Sequence, residues 1–173
     1  MLARVEECIG QYIYSTDDEE LVEVVCKKLI DKGLTLSSAE SCTGGMFAAS
    51  VTNVAGVSAC FDRGIVTYSN QAKMDELGVS AETLEKYGAV SAETAMEMAA
   101  GLAKVSGSDV CVSVTGIAGP GGGSEEKPVG LVYVGLYYNG EVSYKELRLR
   151  NMGRKWIRQV SVLNMLDLIN KNI

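Results

Sequence analysis

"SDVCVSVTG", residues 108–116, carries β-branched valines at positions 110, 112 and 114 with small residues between them. Both faces of such a strand can be buried, as is typical of the centre of a largely parallel sheet. Helix patterns and strand patterns alternate along the sequence on both sides of this stretch. The alternation predicts an α/β fold in which helices cover both faces of one sheet, a three-layer sandwich.

Helices are predicted where apolar residues recur every three or four positions, or where a serine can cap the first turn. These patterns lie over residues 17–32, 43–54, 70–78, 80–88, 91–107 and 153–170. Short strands are predicted over residues 34–38, 62–69, 108–116, 129–138 and 141–150. Asn139-Gly140, between the last two strands, is typical of a tight hairpin turn. The alternation shifts phase between Tyr144 and Leu147, so we expect a β-bulge there.

The composition is that of an ordinary globular domain. The length of 173 residues suits one domain, and the net charge of −6 argues against non-specific nucleic-acid binding. The opening MLARVEECIG lacks the apolar core of a signal peptide, and no stretch of 18 apolar residues occurs. We therefore expect a cytoplasmic protein without a membrane partner. The five cysteines show no C-x-x-C spacing and are expected to be reduced.

The sequence contains no histidine. This excludes the Ser-His-Asp triad and the Cys-His dyad. It also removes most zinc sites, because the cysteines are not clustered, and no metal site is predicted. Any acid–base chemistry must use Lys, Tyr, Asp, Glu or Cys.

The motif AESCTGG, residues 39–45, follows a predicted strand and precedes a predicted helix. At such a turn Ser41 can project as a nucleophile, while backbone N–H groups from Thr43 to Gly45 can stabilise an oxyanion. Cys42 is a competing nucleophile, because a thiolate is intrinsically stronger. The simpler interpretation is that Ser41 or Thr43 only caps the helix.

A serine without histidine needs another base, and the motif TYSNQAK, residues 67–73, offers one. Lys73 can serve if burial lowers its pKa, and Tyr68 can donate to an oxygen or share the proton. The alternative is that Lys73 is a solvated helix residue, since lysine is rarely buried without a partner.

A glycine-rich loop follows the buried strand, in the segment TGIAGPGGGSEEKPVG over residues 115–130. Such a loop allows close backbone approach to a ligand, although it also fits a flexible surface connection. It matches neither the mononucleotide nor the dinucleotide glycine motif. Further on, Arg154 and Arg158 lie one helical turn apart, where they can bind a phosphate or remain on a solvated surface.

The motifs AESCTGG, RGIVTYSNQAK, GAVS and GIAGPGGGSEEKPVGLVYVG occur in the order and spacing of the CinA C-terminal domain family. GRKWIRQ resembles the family less specifically. The resemblance covers roughly residues 18–170, and the family includes nicotinamide-nucleotide amidases. It implies a three-layer α/β/α sandwich with a mixed, mainly parallel five-stranded sheet.

The resemblance also implies an activity and a set of site residues. The reaction would hydrolyse nicotinamide mononucleotide to nicotinate mononucleotide and ammonia, without a metal or organic cofactor. Ser41 would be the nucleophile, Lys73 the base and Tyr68 its partner. The residues expected to bind the substrate are Glu40, Thr43, Gly44, Gly45, Asn70, Thr115, Gly116, Gly119, Arg154 and Arg158.

Residues 1–17 form a predicted N-terminal extension before the domain over 18–173. Residues 5–25 resemble the segment that precedes this domain in full-length CinA proteins, whose additional N-terminal domain has no counterpart in this sequence. A homo-oligomer is expected, although the sequence does not specify the number of copies. The alternative function is a non-catalytic module of a competence- or damage-inducible protein that binds a nucleotide or a partner.

Overall fold

The computed structural model describes Gly10 and residues 13–173. Most of the predicted N-terminal extension, including Cys8, lies outside these residues. The helices of the described part are α1 Leu21–Lys32, α2 Met46–Thr52, α3 Asn70–Leu77, α4 Ala81–Tyr87, α5 Ala92–Ser106 and α6 Arg154–Asn172, with a 3₁₀ turn at Val57–Ala59. The strands are β1 Leu36–Glu40, β2 Phe61–Val66, β3 Val110–Gly116, β4 Leu131–Tyr138 and β5 Glu141–Arg148.

The five strands form one mixed sheet in the order β2-β1-β3-β4-β5. β1 runs parallel to β2 and β3, whereas the pairs β3–β4 and β4–β5 are antiparallel. The predicted α/β sandwich with a mixed five-stranded sheet is confirmed, and β3 is its central strand. Residues 110–115 of β3 are buried, as the valine pattern predicts.

Two apolar clusters hold the helices on the two faces of the sheet. On one face α1, α2 and α6 bury Leu29, Phe47 and Met165 against the valines of β3. On the other face α3 and α5 bury Leu77 and Met98, and α4 packs on α5. No helix in the described part of the chain combines the length and the apolar composition needed to cross a membrane.

The local signals for turns and caps are mostly confirmed. Ser80 and Ser91 each accept the backbone N–H three residues ahead, at 3.0 and 3.1 Å. Asn139 and Gly140 both adopt positive φ, 53° and 81°, as the predicted tight hairpin requires. The predicted bulge between Tyr144 and Leu147 is wrong, because β4 and β5 pair one to one along their whole length. The irregularity lies instead between Leu36 and Ser37, where β1 pairs with β2.

Several element boundaries differ from the prediction. β2 ends at Val66 rather than at residue 69, and the end of β1 and the start of α2 shape the candidate site. α1 begins at Leu21 rather than at residue 17, because Glu20 and Glu23 form a reciprocal capping box there. β1 ends at Glu40, two residues later than predicted, so the strand leads directly into Ser41. α2 begins at Met46 rather than at residue 43, since Gly44 and Gly45 have φ of 57° and 88°, which a right-handed helix excludes.

Candidate active site

The candidate site lies at the carboxyl-terminal edge of the parallel strands. Glu40, the last residue of β1, pairs with Val66 at the end of β2 and with Val114 near the end of β3. The segments that follow these strands therefore meet at one edge, where open α/β sheets place their ligands. AESCTGG, TYSNQAK and the glycine-rich loop are the three segments.

Ser41 begins a tight turn that the sheet and its own backbone hold in place. Its N–H donates to the carbonyl of Val114 at 3.0 Å, and its carbonyl accepts the N–H of Gly44 at 3.1 Å. The positive φ values of Gly44 and Gly45 allow the chain to reverse here before α2 begins. Ser41 is only 9 % exposed, so its hydroxyl lies in a largely enclosed position.

Lys73 reaches Ser41 from α3. Its Nζ donates to Ser41 Oγ at 3.1 Å and to the carbonyl of Thr67 at 2.8 Å. The side chain is 1 % exposed, which is rare for lysine. The interpretation of Lys73 as a solvated helix residue is therefore wrong, and the structure brings the predicted nucleophile and base together.

Burial lowers the pKa of Lys73 from its ordinary value of 10.5, because the ammonium ion loses its hydration. A negative charge on Cys42 would raise that pKa, but the Cys42 thiol holds its proton strongly. Burial raises the pKa of Cys42 to about 12, and the nearby Glu40 charge acts in the same direction. Burial thus shifts Lys73 towards the neutral amine and Cys42 towards the protonated thiol.

Glu40 does not face the ligand side, contrary to the prediction that it binds substrate. Its carboxylate is 1 % exposed and accepts the N–H groups of Phe47 and Ala48 at 3.0 and 2.9 Å. Because alternate residues of a strand point to opposite faces, Glu40 points to the layer of α2 and the following residue, Ser41, to the layer of α3. Both oxygens of Glu40 are used by the first turn of α2.

The amide groups of the turn remain available. Among the residues that the structure describes, neither the Thr43 N–H nor the Gly45 N–H donates to a protein acceptor. Thr43 does not cap α2, as its hydroxyl is buried without a partner and Gly45 occupies the N-cap position. Unpaired amides beside a serine hydroxyl can stabilise an oxyanion.

Tyr68 lies on the rim of the site rather than beside Lys73. It is 60 % exposed, whereas the preceding Thr67 is fully buried. Its hydroxyl accepts from Arg154 Nη2 at 2.9 Å, and Arg154 Nη1 donates to the carbonyl of Gly119 at 3.1 Å. The predicted pairing of Tyr68 with Lys73 is not seen, because the Tyr68 side chain lies on the exposed rim while Lys73 is buried. Arg154 instead connects Tyr68 to the glycine-rich loop.

Arg158, the second predicted phosphate ligand, contacts the nucleophile turn. Its Nε donates to the carbonyl of Cys42 at 3.1 Å, and its Nη2 donates to the carbonyl of Thr43. The two arginines of α6 therefore act on different segments. Arg158 holds the Ser41 turn from its carbonyl side, while Arg154 is exposed at the rim.

Two of the remaining predicted ligands have structural contacts instead. Thr115 is 1 % exposed and donates to the carbonyl of Ala89 at 2.6 Å, so its hydroxyl is committed to the chain. A Cβ on Gly116 would lie 2.7 Å from Val132, so glycine is needed there for strand packing. Asn70 is the exposed first residue of α3, near the rim.

The model of the CinA C-terminal domain matches residues 18–173. The chain belongs to this family. A competence-damage inducible protein of Acetivibrio thermocellus is 55 % identical over 165 residues, which are 95 % of this chain and 40 % of that protein. A CinA-like protein of Kosmotoga olearia is 52 % identical over 168 residues, or 97 % of this chain and 40 % of the relative.

A solved structure shares the fold of this CinA domain. The competence/damage-inducible protein of Agrobacterium tumefaciens has a TM-score of 0.82 and 46 % identity, covering 90 % of this chain and 97 % of that one. The chain spans 40 % of the length of each of the two relatives named above.

Sequence reasoning missed two contacts that shape the CinA site. Thr67 supplies the second acceptor for Lys73 through its carbonyl, and no side-chain pattern signals a backbone role. Lys127, in the glycine-rich loop, donates to the carbonyls of Tyr87 and Val90 at 2.6 and 2.7 Å. In the sequence, a lysine among glycines and glutamates is only a weak sign of these two hydrogen bonds. The accepting carbonyls lie 40 and 37 residues earlier in the chain.

Proposed function

We propose that this chain is an amidohydrolase that converts nicotinamide mononucleotide to nicotinate mononucleotide and ammonia. The observation that carries the proposal is the buried hydrogen bond of 3.1 Å between Ser41 Oγ and Lys73 Nζ. In a sequence without histidine, this pair supplies both the nucleophile and its base. The family resemblance supplies the substrate.

In the first step, the neutral amine of Lys73 takes the proton of the Ser41 hydroxyl, and Ser41 Oγ attacks the carboxamide carbon. Burial favours the neutral amine, and the carbonyl of Thr67 keeps Nζ in place through a second hydrogen bond. The amides of Thr43 and Gly45 stabilise the oxygen that becomes negative. These two amides have no acceptor elsewhere in the described residues.

In the second step, the carbon–nitrogen bond breaks and Lys73 returns the proton to the departing ammonia. Water then attacks the acyl ester, with Lys73 again as base, and releases nicotinate mononucleotide and free Ser41. No step requires a metal or an organic cofactor. Tyr68 lies on the exposed rim, where it contacts the substrate and takes no part in the proton transfers of Lys73.

The nucleotide phosphate is assigned to Arg154. Its guanidinium is exposed, and its partners Tyr68 and Gly119 are uncharged, so a phosphate can replace them at low cost. Arg158 is less suitable, because two of its nitrogens hold the carbonyls of Cys42 and Thr43.

The test is ammonia release from nicotinamide mononucleotide by three purified proteins. The wild type should release ammonia, Ser41→Ala should abolish release, and the neighbouring Cys42→Ala should largely retain it. Calorimetric titration of the nucleotide with each protein provides the control for binding. Binding without ammonia release by the wild type would refute the proposal and favour a non-catalytic nucleotide-binding module. Activity that depends on Cys42 and survives Ser41→Ala would refute the mechanism.

A further inference from the structure

The Glu40 carboxylate connects the end of β1 to the first turn of α2. We infer that Glu40 is a positioning residue, which fixes the direction of Ser41 Oγ and of the turn amides without touching the substrate. The inference rests on the proposed function, because it assigns Glu40 a part in the same reaction.

Glu40 is fixed to both elements that flank the turn. Its backbone pairs with Val66 and Val114, and its carbonyl accepts the N–H of Thr67 at 2.9 Å. Its two carboxylate oxygens accept the N–H groups of Phe47 and Ala48. The five residues of the turn, 41–45, are thus closed into a short loop by one side chain.

The turn needs such a restraint because two of its five residues are glycines. Gly44 and Gly45 populate many backbone conformations in an unrestrained chain, and α2 has no side-chain cap at its N-cap residue. A rotation of the turn would move Ser41 Oγ from its position 3.1 Å from Lys73 Nζ. A misplacement of about 1 Å costs roughly 10²-fold in rate.

A carboxylate suits this place better than a neutral acceptor. Bonds from N–H groups to an ionised acceptor are about twice as strong as neutral ones, and both oxygens can accept at once. In the described part of the chain Glu40 forms no ion pair, so the amides of α2 are its partners. Its charge also opposes ionisation of the adjacent Cys42, which keeps the competing nucleophile protonated.

The test compares Glu40→Gln with a matched control, Asp109→Asn. Asp109 Oδ2 accepts the Thr35 N–H at 2.8 Å and the Thr35 hydroxyl at 2.7 Å, beside the opposite ends of β1 and β3. Both substitutions replace a carboxylate by an amide of equal size and remove accepted bonds. Two readouts are measured well below the unfolding temperature: kcat and KM for nicotinamide mononucleotide, and the labelling rate of Ser41 by a fluorophosphonate.

We expect Glu40→Gln to lower kcat and the labelling rate by about tenfold or more, with KM within twofold of the wild type. Asp109→Asn should leave all three values within twofold, although both variants unfold at lower temperature. Glu40→Asp keeps the charge but is one methylene too short to reach both amides, so it should also lower both rates. If Glu40→Gln does not fold, Glu40→Asp decides the question.

Folded Glu40→Gln or Glu40→Asp with wild-type labelling rates would overturn the inference. So would an equal loss of labelling in Asp109→Asn, because the effect would then follow from stability alone. If the wild type labels but releases no ammonia, the proposed substrate fails and the labelling rates alone judge Glu40. A wild type that does not label would overturn the inference, since there would be no reactive Ser41 to position.

Discussion

Lys73→Met removes the proposed base while keeping the length of the side chain. Lys73 Nζ is the one group hydrogen-bonded to Ser41 Oγ among the described residues, and no second base is in place. Tyr68 bonds to Arg154, and burial raises the pKa of the Cys42 thiol to about 12. Since a positioned general base contributes 10²–10⁴-fold, we expect kcat to fall by roughly 10³-fold.

Two measurements check this expectation, namely ammonia release from nicotinamide mononucleotide and fluorophosphonate labelling of Ser41 at a series of pH values. Lys73 acts as a base only when it is deprotonated, so the wild-type rates should rise with pH through its lowered pKa. Lys73→Met should be slow and should lack this rise. Rates within threefold of the wild type, or an unchanged pH profile, would refute the assignment of Lys73.

The same pKa shift predicts how stability depends on pH. Between the lowered pKa of the folded state and the ordinary value of 10.5, the unfolded chain binds more protons at Lys73 than the folded chain does. The free energy of unfolding therefore rises with pH across this window. The free energy of unfolding of the wild type minus that of Lys73→Met, measured by urea unfolding, should increase with pH up to about pH 10.5. A constant difference would show that Lys73 is not perturbed.

Two further substitutions test the supports of the site. Gly101→Ala places a Cβ against the carbonyl oxygen of Leu77 at the end of α3, too close for van der Waals contact. It should therefore destabilise the fold by about 1–3 kcal/mol and lower Tm, although alanine favours helices more than glycine does. A raised Tm in thermal unfolding would contradict this close contact. Arg154→Met should raise KM about tenfold with kcat nearly retained, because the proposed phosphate contact is lost. Arg158→Met should instead lower kcat, because the carbonyls of Cys42 and Thr43 lose their donor. Equal effects of the two substitutions on KM and kcat in steady-state kinetics would refute the assignment of Arg154 to the phosphate and Arg158 to the turn.

The fold was largely predictable where a local pattern determines the structure. The valines of β3, the serine caps and Asn139-Gly140 each act through a short-range preference, and each is confirmed. The predicted bulge at Tyr144 and Leu147 failed because β5 is an edge strand, exposed at most positions. Nearly all of its positions on both faces are exposed, so its alternation carries little information about register.

The site was predictable in its residue types but less so in its contacts. Ser41 and Lys73 are 32 residues apart, and only the parallel pairing of β1 with β2 brings them within 3.1 Å. Glu40 and Tyr68 were given the wrong surroundings because the ends of two strands were misplaced. β1 runs to Glu40, whose carboxylate lies on the side of α2, and β2 ends at Val66, so Tyr68 lies beyond the strand at the exposed rim.

The end of β1 separates two buried ionisable side chains that would otherwise disable the site. Glu40 and Lys73 are each 1 % exposed, yet Glu40 bonds to the amides of α2 in one layer, while Lys73 bonds to Ser41 and Thr67 from α3 in the other. An ion pair between them would favour the ammonium form and raise the pKa of Lys73. Lys73 would then be a poorer acceptor for the proton of Ser41 in the proposed reaction. The alternation of β1 therefore lets one carboxylate hold the turn while the lysine keeps a lowered pKa, and the proposed chemistry depends on this separation as much as on the closeness of Ser41 and Lys73.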